Sequence, residues 1–414
     1  MPRIGLLLLG ALIAPSTARA GETPAAVRAY MAEYSASRLA AAHTMIPAWA
    51  RRYNKNCDAC HYPVPPRLNA EGMRFKWAGY RYPDQIGEKI DVERIPNYVA
   101  GHGVVQYEWN KTSGLPANNV FAMPEAGLFF AGPLGRNFSG FLEFERSPDG
   151  TVEAVATLGS IWGKEKAYGG FRLGQMHAIA EWGVAGFDRP VSVNDIAPLG
   201  TVTEAIPFGF DMAVGAEAYV VTRSNRLSFQ VTNGIDREGE VVPGGPGPNK
   251  DVALIDQLLY DNAGSGVQAV AYYGTLKGID TLTAPDLNSH FWRLAFSANK
   301  IYRDVELLGG VVYGRDFDLP ATLGFSNNEN KGLGWWVSGQ YFVPKAPLAL
   351  FARYESVRPN TDVADNTVRY VDAGAVLPIN LPQYMRATLE YRLTSPPGGQ
   401  PKTNDLIAEL QLNF

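Results

Sequence analysis

The last twelve residues, Thr403-Asn404-Asp405-Leu406-Ile407-Ala408-Glu409-Leu410-Gln411-Leu412-Asn413-Phe414, alternate. Leu406, Ala408, Leu410, Leu412 and Phe414 share one face, and Ile407, Glu409, Gln411 and Asn413 share the other. Successive side chains of a strand point to opposite sides, so the segment presents one apolar and one mostly polar surface. Upstream, Met385, Ala387, Leu389, Tyr391 and Leu393 alternate with Arg386, Thr388, Glu390, Arg392 and Thr394. Phe138, Gly140, Leu142 and Phe144 alternate with Ser139, Phe141, Glu143 and Glu145. Ten-residue segments of this kind predict a transmembrane antiparallel β-barrel whose outer wall meets lipid and whose lumen is polar.

Sixteen such segments can be counted, near 98–109, 119–132, 137–147, 152–163, 169–181, 208–222, 226–235, 251–261, 265–277, 289–302, 304–317, 332–344, 347–357, 366–379, 384–396 and 403–414. The even number suits a barrel that closes on itself. Aromatic pairs such as Tyr272-Tyr273, Phe291-Trp292, Trp335-Trp336 and Tyr341-Phe342 are expected to form the girdles at the two membrane interfaces. A soluble sandwich of the same strands is the competing reading. A terminal Phe414 resembles the sorting signal of bacterial outer-membrane barrels.

The opposite end of the chain supplies an address. Arg3, the apolar run Ile4 to Ala14 and Ala18-Arg19-Ala20 form the three parts of a secretory signal peptide, 1–20, cleaved before Gly21. Lys plus Arg is 37 against 41 Asp plus Glu, a formal charge of -4, which argues against a nucleic-acid partner. Beyond the leader no stretch approaches the twenty apolar residues of a membrane helix.

Between leader and strands lies a different composition. Residues 24–44 are alanine-rich and suit a helix, and Asn69 is placed to cap a short helix over 70–77 that Gly79 closes. Between them runs Cys57-Asp58-Ala59-Cys60-His61, holding the only two cysteines of the 414 residues. Thiols at this spacing each add to a haem vinyl group and the following histidine becomes the proximal iron ligand, so the run predicts one covalent haem c. A zinc site would want four protein ligands. Candidates for the distal ligand are His43, Met45, Met73 and His102, with His102 favoured and Met73 next. Met73 can instead pack against Trp77 one turn on, and His102 can face the lumen or interface at the first strand. The expected division is a small α-helical haem domain over 21–97, acting as a plug, and a barrel over 98–414. Glu143, Glu145, Arg353, Glu355, Arg386, Glu390, Arg392 and Glu409 are expected to line the lumen. The sequence has no H-E-x-x-H, no nucleophile triad and no phosphate loop, so no catalytic residue is expected beyond the haem.

The flanks of this motif resemble those of the fused monohaem cytochrome–porins, the outer-membrane iron oxidases. That family has Pro-x-aromatic-Ala-Arg before C-x-x-C-H, then Pro-x-Leu-Asn-x-x-Gly-x-x-Phe-Arg and Gly-Tyr. Here the positions read Pro47-Ala48-Trp49-Ala50-Arg51, then Pro66-Arg67-Leu68-Asn69-Ala70-Glu71-Gly72-Met73-Arg74-Phe75-Lys76, then Gly79-Tyr80. Lys76 stands where arginine is usual and Trp49 where phenylalanine is commoner. The resemblance implies an oxidoreductase in the outer membrane that takes electrons from extracellular Fe(II). It passes them to a periplasmic cytochrome c or cupredoxin, with the haem expected at the outer mouth. An outward electron conduit, or a porin with a haem appendage, would use the same parts.

Overall fold

The computed structural model describes residues 48–55, 59–61, 68–90, 97–146, 152–176, 192–200, 202–206, 208, 210, 213–233, 250–277, 288–319, 324–344, 346, 348–380 and 385–413. The leader, the 24–44 segment, His43, Met45, Cys57 and Phe414 lie outside them. Sixteen strands run in chain order: β1 (Val99–Thr112), β2 (Asn118–Pro133), β3 (Phe138–Arg146), β4 (Val152–Lys164), β5 (Ala167–Met176), β6 (Ala213–Thr222), β7 (Asn225–Thr232) and β8 (Asp251–Leu259). They continue with β9 (Gly266–Lys277), β10 (Asn288–Tyr302), β11 (Val305–Phe317), β12 (Asn330–Phe342), β13 (Ala349–Arg358), β14 (Val368–Asn380), β15 (Met385–Ser395) and β16 (Thr403–Asn413). Each pairs with its sequence neighbours, and β1 pairs antiparallel with β16, so the sheet is a closed barrel. Closure removes the two unpaired edges that a sheet cannot expose to hydrocarbon.

The two faces follow the period read from the sequence. Leu389, Leu410 and Leu412 are exposed on the outer wall, while Arg386, Glu390 and Glu409 are buried in the interior. The same period corrects the expectation for the aromatic pairs. Trp335 is 40% exposed on the lipid side, whereas Trp336 is 2% exposed inside the barrel. Tyr273 and Tyr341 likewise face outward, with Tyr272, Phe291 and Phe342 buried inside. Adjacent strand residues point to opposite faces, so one member of each pair joins a girdle and the other fills the lumen.

The two rims differ. At the end where β1 begins and β16 finishes, the connections 134–137, 165–166, 223–224, 260–265, 303–304, 343–348 and 381–384 are two to six residues long. At the other end they run from five residues to the long stretch 177–212. Membrane barrels keep their short turns on the periplasmic side and their long loops outside.

The described part of the longest connection, between 192 and 210, folds inward rather than away. Its helix α3 (Ala197–Gly200) lies against β12 and β13. Ile196, Leu199, Val202, Ile206, Phe208 and Phe210 form one apolar core with Ile255, Val270, Tyr272, Phe291, Val312 and Trp336 of the wall. Phe208 and Phe210, expected to lie in a strand opening at 208, are therefore not part of β6, which begins at Ala213. The spacing of Phe208 and Phe210 suits a strand, but a tertiary core claims them. Polar anchors fix the insertion: Glu390 accepts from Ser192 Oγ at 2.8 Å and Asn194 Nδ2 at 2.9 Å, and Glu355 accepts from Ala197 N at 2.6 Å. Arg293, fully buried, donates to Asp316 at 2.7 Å, Thr203 Oγ1 at 2.6 Å and the Ile206 carbonyl at 3.0 Å. Arg293→Ala would strand the Asp316 carboxylate in a dry interior. The expected loss is about 3–5 kcal/mol, read as a lower temperature for loss of the compact, heat-modifiable form on a gel.

Candidate functional site

Among the described residues, two short α-helices precede the barrel, α1 (Ala48–Tyr53) and α2 (Ala70–Trp77). The Asn69 side chain accepts a hydrogen bond from Gly72 N at 2.9 Å, which caps α2 as its position predicts. Its amide also donates to the Ala59 carbonyl at 3.0 Å, and Asn69 N donates to the Cys60 carbonyl at 2.9 Å. His61 and Leu68 form an antiparallel bridge. The second half of the C-x-x-C-H run is thus pinned to the start of α2. Gly72 has a physical reason: a Cβ there would run into the Cys60 carbonyl oxygen and reach 2.8 Å from Leu68 Cδ2. Gly79 turns the chain at φ +68°, as expected of a helix-closing glycine.

Cys60 is half-buried and is in no disulfide. The Tyr82 hydroxyl interacts with it and with Glu71. Burial foremost, then these two neighbours, pushes the Tyr82 pKa above its ordinary range, so the phenol keeps its proton at neutral pH. Around it the rings of Tyr53, Phe75 and Tyr82 pack edge to face with centroids 5.1–5.5 Å apart. Trp49 extends this cluster, 5.6 Å from Phe75 and stacked at 5.0 Å on Tyr80.

Among the described residues, the module meets the wall at the short-turn rim. Trp49 Nε1 donates to the Ala131 carbonyl at 3.2 Å and Arg51 to that of Val99 at 2.6 Å. Arg74 Nε reaches the Arg223 carbonyl at 3.0 Å, in the β6–β7 turn. Arg81 is fully buried and clamps the β2–β3 turn, donating to the carbonyls of Gly135 at 3.2 Å, Arg136 at 2.7 Å and Phe138 at 2.6 Å. Tyr80 stacks on Phe141 of β3 at 5.9 Å. The module is thus at the short-turn mouth, not at the outer mouth as expected. The reason is covalent: β1 starts at the short-turn rim, and the chain reaches it from α2 in about twenty residues.

The distal-ligand candidates are placed as follows. Met73 is buried against Trp77, Ile161, Tyr168, Tyr219, Val221 and Leu259, the packing role weighed for it. His102 faces the lumen from β1, with Nε2 2.7 Å from Glu125 Oε1 and its ring 4.8 Å from Phe129. Glu143 and Glu145 of β3 add charge near it. Among the described residues no three such side chains converge on a metal-holding geometry. Arg81, Trp49 and Tyr80 are the docking residues that sequence reasoning missed. Trp49 and Tyr80 lay inside the motif flanks, but nothing local marked Arg81.

Haem c fits the donor set described. Cys60 is a thiol in no disulfide, His61 follows it, and Asn69 and Gly72 hold the backbone between them and α2. No protein-family model and no curated protein matches the chain. Among solved structures it is similar to OmpT of Vibrio cholerae with loop L8 deleted, at 14% identity and TM-score 0.55, covering 76% of this chain and 99% of that one. It is similar to the anion-selective porin of Comamonas acidovorans at 11% identity and TM-score 0.54, covering 76% and 98%. The outer-membrane channel DcaP of Acinetobacter baumannii gives 13%, 0.54, 76% and 97%. The fold is that of an outer-membrane porin barrel. At these identities the likeness extends to the fold and no further.

Proposed function

We propose that this porin-type barrel resides in the bacterial outer membrane and carries one covalent haem c on a module docked in its periplasmic mouth, for one-electron transfer across that membrane. The observation that supports it best is the placement of the Cys60-His61 segment on a module bound to the short-turn rim. Cys57 and Cys60 would hold the haem through thioethers and His61 would be its proximal ligand. When bound, haem c supplies a one-electron redox centre. The chain's own residues do the rest. Asn69 and Gly72 set the motif against α2, Tyr82 keeps a protonated hydroxyl beside Cys60, and Arg81 and Trp49 hold the module to the wall. The proposed net reaction, drawn from the motif resemblance, moves one electron from extracellular Fe(II) to a periplasmic cytochrome c or cupredoxin. In this geometry the periplasmic acceptor is on the near side, and the ferrous donor approaches through the lumen past carboxylates such as Glu143 and Glu145. An acidic wall raises the local concentration of cations.

Vesicles holding oxidised cytochrome c inside and Fe(II) outside test the reading, with the barrel inserted so that its short turns face inward. Reduction of the enclosed cytochrome is expected with the wild-type protein and not with Cys57→Ser/Cys60→Ser. The porin likeness favours a second reading, a diffusion channel with a haem appendage. That reading predicts an open-channel conductance that the same double substitution leaves unchanged.

A further inference from the structure

Away from the lumen and the module, positive charge collects on one part of the lipid-facing wall. Arg315 of β11 and Lys331 of β12 are directly opposite each other. Arg358 of β13 lies opposite Leu333, one step along the same face from Lys331, and Arg369 of β14 lies opposite Ser356, diagonal to Arg358. The exposed neighbours Leu333, Leu350 and Val371 share their strand parity, so all four bases point outward. Diagonal neighbours on a sheet are within reach of long side chains. The four therefore form one continuous row across four strands.

Its height is fixed by what lies beside it. The row ends the strands at the long-loop rim, next to the connections 318–329 and 359–367. On the side toward the membrane centre, Trp292 packs on Tyr313 at 5.2 Å and Trp335 on Tyr354 at 5.3 Å, an interfacial girdle. One carboxylate, Glu329, sits between Arg315 at 2.7 Å and Lys331 at 3.7 Å. Asp318 pairs with His290 at 2.9 Å, and Asp362 and Asp365 stand in the connection beyond. Arg358 gives one N–H to the Val363 carbonyl at 3.0 Å, and the Arg315 guanidinium rests 4.6 Å from the Phe317 ring. Three of the four bases are arginines, whose planar forks suit two oxygens of a phosphate at once.

We propose that this row binds the phosphate groups of a phosphorylated glycolipid of the outer leaflet, the lipid A class. The aromatic and aliphatic wall directly below it would meet the acyl chains, which argues for a lipid rather than free phosphate. The inference rests on the outer-membrane reading of the barrel and is independent of the haem.

The test is native mass spectrometry of the purified full chain with bisphosphorylated lipid A, dephosphorylated lipid A and phosphatidylglycerol. The wild type is expected to favour bisphosphorylated lipid A about tenfold over the dephosphorylated form, the scale of one charge-assisted contact. Inorganic phosphate at millimolar concentration should not displace it. Arg315→Gln/Lys331→Gln/Arg358→Gln/Arg369→Gln should lose the preference, and Arg146→Gln, on the outer face of β3, should keep it. If the fourfold variant fails to reach the heat-modifiable form, Arg358→Gln/Arg369→Gln leaves the Arg315–Glu329 pair intact and is expected to lose most of the preference. A preference surviving in the folded variant, equal loss in Arg146→Gln, or displacement by inorganic phosphate would each overturn the proposal. Fractionation reports the location separately. Recovery in the inner membrane defeats the outer-membrane reading, whereas lipid A indifference in an outer-membrane protein defeats only this inference.

Discussion

Cys57→Ser/Cys60→Ser is expected to yield a protein that folds as a barrel yet carries no haem through a denaturing gel. The wild-type chain should stain for haem at its own mass. Thioethers survive denaturation because they are covalent, whereas a haem held by His61 alone is lost when the module unfolds. The barrel should be indifferent to the change. Its closure rests on the pairing of β1 with β16 and its interior on the core around Phe291 and Trp336, none of which touches the motif. The same comparison separates the haem reading from the structural one. Equal haem staining in the double variant would remove the chemistry assigned to these thiols, and loss of the barrel itself would show that the motif has a folding role.

The second large effect is expected at Arg81. Its guanidinium serves three carbonyls of the β2–β3 turn from a fully buried position. Burial pulls its pKa below the usual value for arginine, yet the group keeps its charge at neutral pH. Arg81→Ala removes all three bonds and leaves the carbonyls without their donor, a change on the order of 3–5 kcal/mol. The apolar packing of Met73 and Trp77 against Ile161, Tyr168, Tyr219, Val221 and Leu259 remains, so the change is expected to raise the fraction of time the module spends off the wall rather than to detach it outright. Limited proteolysis should then release a fragment ending between Tyr82 and Val99 while the barrel remains intact, and ion conductance in a planar bilayer should rise. Arg81→Lys should rescue little, because an ammonium cannot hold three carbonyls in the plane of a fork. An unchanged digestion pattern in Arg81→Ala would mean that the apolar core around Met73 and Trp77, with the stacking of Tyr80 on Phe141, holds the module without the clamp.

The features that were legible in the sequence share a local cause. Strand period is a property of successive residues, so the alternation from Met385 to Leu393 and from Leu406 to Leu412 gave the correct faces, and the count of sixteen held. Asn69 as a cap was also legible, since the cap bond spans three residues. What failed depended on distance in space. Phe208 and Phe210 alternate as in a strand, but Tyr272 and Phe291 across the lumen draw them into an inserted loop. Trp335-Trp336 reads as a double girdle until the pleat sends the two rings to opposite faces. The module's place at the short-turn mouth was readable in principle from the tether to β1, but its clamp was not. Arg81 finds its carbonyls more than fifty residues away, and no spacing rule reaches that far.

The most direct test of the central claim is to mix the purified, oxidised protein anaerobically with Fe(II) at the pH of its native habitat and record the visible spectrum. The account predicts the sharp α band of a reduced c-type haem, absent from Cys57→Ser/Cys60→Ser. A haem that dithionite reduces but Fe(II) leaves oxidised would contradict it.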